Sequence, residues 1–247
     1  MEEMIRDHWS SRAMSYSQLT RDRHDSDSYR ALWEDFYAEL LQGCGKKTLD
    51  CGCGPGAASL RVSDLGFDVT GMDFSSDMLE TARSNAAKYS RNIEFVQGDA
   101  EDIPFPDNSF DTVVSQYMLW TVPHPDKVIS EWYRVLRPGG RLVYIDGTWF
   151  DNPRNTRWNR FRMRMCRGLN YVGKSNSGRS SSNEFSRNLW SVNADRPRDD
   201  LLMLEKQGFV NISPKRDIAR RIMGRKEYYC TALCCEYFAI SAEKPDE

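Results

Sequence analysis

The stretch Lys47-Thr48-Leu49-Asp50-Cys51-Gly52-Cys53-Gly54-Pro55-Gly56-Ala57 decides the fold. Lys47–Asp50 reads as a short strand that runs straight into a glycine-rich turn, and Ala57–Leu65 reads as the helix that follows. Glycines at alternate positions strip Cβ atoms from the turn, so its backbone can lie against a bulky ligand. A strand, such a turn and a helix form the opening unit of an open α/β sheet.

The pattern repeats outward. Gly66 ends the helix before a second strand, Asp68–Asp73. A helix over Ser76–Tyr89 follows, with Ser75 or Ser76 as its cap, then a strand Ile93–Gln97, a Pro-containing loop and an apolar strand Thr112–Ser115. Asp126–Leu136 reads as a helix, and Arg137-Pro138-Gly139-Gly140 as a turn into the strand Arg141–Asp146. Near the C-terminus, Arg198–Gln207 reads as a helix capped by Gly208, and Val210–Ser213 and Thr231–Ala242 as a closing antiparallel pair. The opening segment reads as two helical pieces around a polar stretch; Tyr29, Leu32, Trp33, Phe36 and Leu40 mark an amphipathic helix running to Leu41. Strand and helix alternating at this pitch imply a doubly wound, mostly parallel, seven-stranded sheet.

Bulk properties set the frame. The 247 residues, 40% hydrophobic and 12% aromatic, suit one large α/β domain, and 28% charged residues suit a soluble surface. No run approaches the roughly 20 apolar residues needed to span a bilayer. The acidic opening, Met1-Glu2-Glu3, lacks the layout of a signal peptide, so a cytoplasmic protein with no membrane partner is expected. Seven cysteines, an odd number, argue against a disulfide framework, and their spacing does not match a zinc site. No metal is expected, and the thiols read as small buried hydrophobes. The net charge of −2 hides an asymmetry, because residues 1–150 sum to −9 and residues 151–247 to +7.

By itself the glycine turn is ambiguous. Gly52-x-Gly54-x-x-Ala57 satisfies the dinucleotide fingerprint, and Asp73 lies about 20 residues on, where an acid would hold a ribose, so a nicotinamide-dependent oxidoreductase also fits. The remaining segments break the tie. Asp50 ends the first strand, Asp73 the second, and Gly98-Asp99-Ala100 follows the third. Ile103-Pro104-Phe105-Pro106-Asp107-Asn108-Ser109-Phe110-Asp111 leads into the fourth, and Pro138-Gly139-Gly140 precedes the fifth. Over residues 45–146 this order resembles the class I SAM-dependent methyltransferases, specifically the broad small-molecule group called type 11.

The resemblance implies a Rossmann-like methyltransferase fold and S-adenosylmethionine (SAM) as cofactor. It assigns Asp50, Gly52, Gly54 and Gly56 to the methionine part and Asp73 to the ribose. Phe74 or Met78 falls against the adenine face, Asp99 and Ala100 at the adenine, and Ser115 and Gln116 near the reacting methyl. It further implies a helical lid over residues 1–45, a SAM-binding core over 46–150, a substrate cap over 151–197 and the end of the core sheet over 198–247. Tyr16, in the lid, is a candidate cofactor contact, and Trp9 and Trp120 are candidate walls of an acceptor site.

No general base stands out; His124 and Tyr16 are the candidates. In the cap, Arg157, Arg160, Arg164 and Arg167 fall on one helical stripe beside Trp158, Phe161 and Met165. The stripe reads either as a solvated helix face over a packed row or, since arginine forks suit carboxylate or phosphate, as a cap that binds an anionic small-molecule acceptor. A sequence pI of about 6.0 and the lack of an RNA-binding module count against a nucleic-acid partner. The remaining alternative is a SAM-binding protein without catalysis that acts through its basic surface.

Overall fold

The computed structural model describes residues 2–149, 189–224, 228 and 235–246. Three helices open the chain: α1 (Glu2–Ser10), α2 (Ala13–Asp25) and α3 (Asp27–Leu40). Strands and helices then alternate as β1 (Lys47–Cys51), α4 (Ala57–Asp64), β2 (Asp68–Asp73), α5 (Ser76–Lys88), β3 (Glu94–Gln97), β4 (Phe110–Gln116), α6 (Pro125–Val135) and β5 (Leu136–Gly147). After the residues outside the description come α7 (Arg198–Gln207), β6 (Val210–Lys215), α8 (Ala219–Ile222) and β7 (Tyr237–Glu243).

The described strands form one seven-stranded sheet in the order β3-β2-β1-β4-β5-β7-β6. Its first five strands pair in parallel, and β7 runs antiparallel to both β5 and β6. The sheet is therefore the doubly wound, mostly parallel one expected, with its antiparallel pair at the end. Strand order reverses between β1 and β4, which opens a crevice at the C-terminal ends of the strands.

Both faces of the sheet are covered. On one, Val113, Leu142, Tyr144, Phe238 and Ile240 pack with Ile129 and Trp132 of α6 and Leu204 of α7. On the other, Val114, Val143, Ile145 and Ala239 meet Trp33, Phe36 and Tyr37 of α3, Ala58 and Val62 of α4, and Ile222 of α8. Successive residues of one strand thus feed different cores, which is why the strands read as continuous apolar runs.

Two segments depart from the sequence reading. The polar stretch of the N-terminal region is itself helical, as α2. Its buried stripe is Ala13, Ser17, Thr20 and His24, at helical spacing but small or polar, so hydrophobic periodicity could not show it. Within the stripe Ser17 Oγ donates to Asn85 Oδ1 on α5 (3.1 Å), which also accepts from Arg21 Nε (2.6 Å), and His24 packs its ring on Tyr89 with 4.0 Å between centroids. The second departure is Arg137-Pro138-Gly139-Gly140, which belongs to the long β5 and not to a free turn. Leu136 pairs with Phe110 and Arg141 with Thr112, so four residues bulge out opposite Asp111 alone.

Candidate active site

The glycine turn is fixed by its own backbone. Gly52 and Cys53 N–H donate to the Met72 carbonyl (2.8 and 2.9 Å), which ties the turn to β2. Gly52 has φ of +73°, and a Cβ there would run into the Met118 side chain. Gly54 has φ of +53°, and its open side meets no atom within 4 Å because it faces a cavity of about 480 Å³.

Two acids flank that turn at the bottom of the cavity. Asp73, at the end of β2, accepts N–H bonds from Gly54 (2.9 Å) and Ser75 (3.0 Å). Asp50, near the end of β1, accepts the Ser59 hydroxyl at 2.5 Å, while its second oxygen, Oδ1, is buried with no partner. Burial pushes the Asp50 carboxyl up to about 7 and the Asp73 carboxyl up to about 6. At neutral pH Asp73 is mostly ionised and Asp50 is divided between its protonated and ionised forms, both poorly solvated beside one cavity. An ammonium group there would stabilise both, and ribose hydroxyls could use the free acceptor capacity of Asp73. The donor set fits a ligand that carries an amino-acid cation at one end and a nucleoside at the other.

The rest of the wall is mostly apolar and aromatic. Trp9 meets Trp120 edge-on at 6.0 Å between centroids and Tyr16 at 5.7 Å, and Trp120 lies 5.7 Å from Trp149. Trp149 in turn meets Tyr117 at 5.6 Å. Asp146, near the end of β5, holds two of these walls. Its Oδ2 accepts the Trp120 backbone N–H (3.1 Å) and its Oδ1 the Trp149 indole N–H (3.0 Å). Arg196 donates to Asp146 Oδ2 at 3.0 Å and bridges on to Asp200, all three side chains being buried. Ile5 and Trp9 of α1 pack with Phe74, Trp120 and Leu189, so the N-terminal helix closes one side of the cavity.

Of the residues marked from sequence, Asp50, Gly52, Gly54, Asp73, Phe74, Met78, Asp99, Ala100, Gln116, Tyr16, Trp9 and Trp120 all line this one cavity. Gly56 does not; it caps α4 with φ of +84° and faces Ala82 and Phe95. Ser115 is buried, and its hydroxyl donates to the Cys51 carbonyl at 2.8 Å, locking β4 to β1. His124 is exposed at the head of α6 and does not itself line the cavity, although its backbone N–H donates to Glu101, which does. The other histidines, His8 and His24, do not line the cavity either. Arg157, Arg160 and Arg164 lie outside the described residues. Burial pushes the Cys51 thiol up to about 12 and the Cys53 thiol well up. Among the described residues no group of three His, Cys, Asp or Glu is placed to hold a metal.

The structure adds lining residues that the sequence did not mark: Arg61, Tyr117, Trp149, Arg23 and Glu101. Tyr117 carries a local signal only in hindsight. It sits one residue past β4 with φ of +60°, a strained value for a large side chain that turns its ring toward Trp149.

This sheet order, with acids at the ends of β1 and β2 around a glycine turn, is that of the class I methyltransferases. The family described as "Methyltransferase domain" matches residues 49–144. The ubiquinone/menaquinone biosynthesis C-methyltransferase UbiE of Brucella canis is 32% identical over 195 residues, covering 74% of this chain and 70% of that protein. The demethylmenaquinone methyltransferase of Listeria monocytogenes is 42% identical over 106 residues, covering 41% and 45%. Among solved structures, phosphoethanolamine N-methyltransferase 2 of Haemonchus contortus with S-adenosyl-L-methionine superposes with a TM-score of 0.57 at 18% identity. That match spans 92% of this chain and 60% of the other, and shows the same fold. The chain belongs to the class I SAM-dependent methyltransferases, and S-adenosylmethionine is its cofactor. The glycine turn's ambiguity is resolved against a nicotinamide. Among the described residues no helix is long and apolar enough to cross a membrane.

Proposed function

We propose that this methyltransferase alkylates a ring carbon of an apolar, ring-bearing small molecule of the reduced-quinone type. The observation that carries this reading is the continuous aromatic wall of Trp9, Trp120, Trp149 and Tyr117 on the same cavity as the Asp50–Asp73 cradle. A cavity wall of mutually packed aromatic rings favours a planar, apolar partner over a hydrated amine. Two relatives whose names give quinone-pathway C-methylation and demethylmenaquinone methylation support the same class.

When bound, S-adenosylmethionine supplies a methyl group already activated as a sulfonium. The chain's own residues bind, orient and exclude water. In this reading Asp50 receives the ammonium, Asp73 the ribose hydroxyls, Asp99 and Ala100 the adenine amine, and Phe74 and Met78 the adenine face. Gly52 and Gly54 let the backbone approach; Gly56 and Ser115 keep the turn and β4 in register without touching a ligand. Tyr16 and Gln116 stand where cofactor and acceptor meet, and Trp9 and Trp120 hold the acceptor ring. Residues 1–45 act as the lid and 151–197 as the acceptor cap, with Arg157, Arg160 and Arg164 as its anion-facing contacts. His124 does not line the cavity, and burial pushes the Tyr16 hydroxyl up from its ordinary value, so neither serves as base in this reading. The acceptor is nucleophilic on arrival, as the ring carbon of an electron-rich quinol is.

Incubation with methyl-labelled SAM and a matched panel tests this: 1,4-naphthoquinol, an aliphatic amine, a thiol and phosphoethanolamine. The expected result is label on a naphthoquinol ring carbon. Label confined to the amine, thiol or phosphoethanolamine product refutes the assignment.

A further inference from the structure

Arg61 is a buried cation that neither the fold nor the cofactor cradle accounts for. It sits on α4, one turn past the glycine loop, and keeps only 3% of its surface exposed. Its guanidinium lies 4.6 Å from the Trp33 ring and 5.9 Å from the Tyr29 ring, and one nitrogen donates to Gln116 Oε1 at 3.3 Å. The Tyr37 hydroxyl donates to the same oxygen at 3.4 Å. Among the described residues no carboxylate forms a hydrogen bond or salt bridge with Arg61; Asp50 feels its charge but bonds to Ser59 and leaves its second oxygen unpartnered, and Asp73 bonds to Gly54 and Ser75.

Stacking on Trp33 offsets part of the cost of burying a guanidinium but supplies no counter-charge. The fork carries five N–H donors, and one bond is made. None of its nitrogens is sealed off without a partner, whereas Nη1 of Arg196 is, so the unused donors of Arg61 open on the cavity it lines. A second guanidinium, Arg23, lines the same cavity and stands 5.0 Å from the Tyr29 ring.

We propose that Arg61, held by Gln116 and Trp33, is the cation of an anion-binding subsite in this cavity, taking a carboxylate or an ionised phenol or enol oxygen. It rests in part on reading the cavity as the acceptor site, because two sources could provide the anion: the acceptor itself or the α-carboxylate of the cofactor. An anionic acceptor oxygen on Arg61 would make up for the missing base, since a guanidinium favours the ionised form of the group that raises the ring's nucleophilicity.

The test measures binding to wild type, Arg61→Met and Arg61→Lys. Cofactor-side probes are S-adenosylhomocysteine and 5′-methylthioadenosine, which lacks the amino-acid part. Acceptor-side probes, with S-adenosylhomocysteine present, are 2-naphthoate and its neutral amide. Arg61→Met is expected to weaken one anionic probe by about 10- to 100-fold, the range of a charge-assisted bond, and to spare its uncharged counterpart. Arg61→Lys, which keeps the charge, should recover part of the loss. Loss confined to naphthoate places the anion on the acceptor; loss confined to S-adenosylhomocysteine places it on the cofactor. Equal affinities of folded Arg61→Met and wild type for both anionic probes overturn the subsite. If neither naphthalene probe binds wild type, the acceptor reading fails, while the cofactor arm still decides the role of Arg61.

Discussion

Replacing Asp50 by Asn should stabilise the ligand-free protein and weaken its hold on the cofactor, two effects of opposite sign from one atom. The side chain is fully buried, one oxygen has no partner, and burial lifts its carboxyl from an ordinary 3.8 to about 7. Between about pH 4 and pH 7 the folded state therefore holds a proton that the unfolded chain has released, so stability falls as pH rises through that window. Taken in full, a lift of that size is on the order of 4 kcal/mol at pH 8. The neutral amide has its own desolvation cost, of roughly 1–3 kcal/mol, and a net gain of about 2 kcal/mol remains. For a chain of this size that is a rise of about 4–8 °C in melting temperature. Cofactor binding should move the other way, by about 10- to 100-fold, because the ammonium loses an ionised partner. Thermal melts of both proteins at pH 8 and pH 5.5, with calorimetry of S-adenosylhomocysteine binding, check both halves. The advantage of Asp50→Asn should shrink at pH 5.5, where wild type is protonated. A variant that melts lower at pH 8 and binds the ligand with unchanged affinity would refute the reasoning.

Asp146→Asn leaves the buried Arg196 paired with Asp200 alone, so it should cost about 2–3 kcal/mol, below the full 3–5 of a wholly orphaned ion. Because Asp146 also holds Trp120 and Trp149, the acceptor KM should rise well beyond any change in SAM affinity; equal changes in both would count against a positioning role. Asn85→Ala removes the side chain that accepts from Ser17 and Arg21 and donates to the Pro55 carbonyl at 2.8 Å, linking α2 to the glycine turn. Limited trypsin digestion should cut faster within α2, at Arg21 and Arg23, and SAM affinity should fall several-fold; unchanged cleavage would show that α2 is held elsewhere.

The core of the fold was legible because its signals are local. Asp50, Asp73 and Asp99 each stand at or just past a strand end that apolar runs and glycines mark, and the sheet's geometry gathers such ends into one crevice. Signals that depend on tertiary partners were not legible. Arg61 reads in sequence as one charged residue within the short helix α4; only the packing of Trp33 from α3 shows it as a buried cation. Asp146 reads as one more strand-end acid, and nothing near it announces Arg196, fifty residues on. The stripe of α2 was hidden for another reason, since its buried residues are small or polar and are held by partners far along the chain, Ser17 by Asn85 and His24 by the Tyr89 ring. His124 stands next to the site, as its place after the fourth strand suggested, but its side chain is exposed at the head of α6 and does not line the cavity.

The Asp146–Arg196 bond has a further consequence for how such enzymes diversify. The chain departs from the sheet just after Asp146 and is back beside it at Arg196, so exit and return share one bolted doorway. Closing a longer excursion through that doorway adds only about 0.6 kcal/mol per doubling of its length. On the proposal that residues 151–197 form the acceptor cap, changes of sequence or length between the two ends leave the strand register, the glycine turn and the paired acids where they are. Selection would then rewrite what the enzyme accepts without disturbing what it donates.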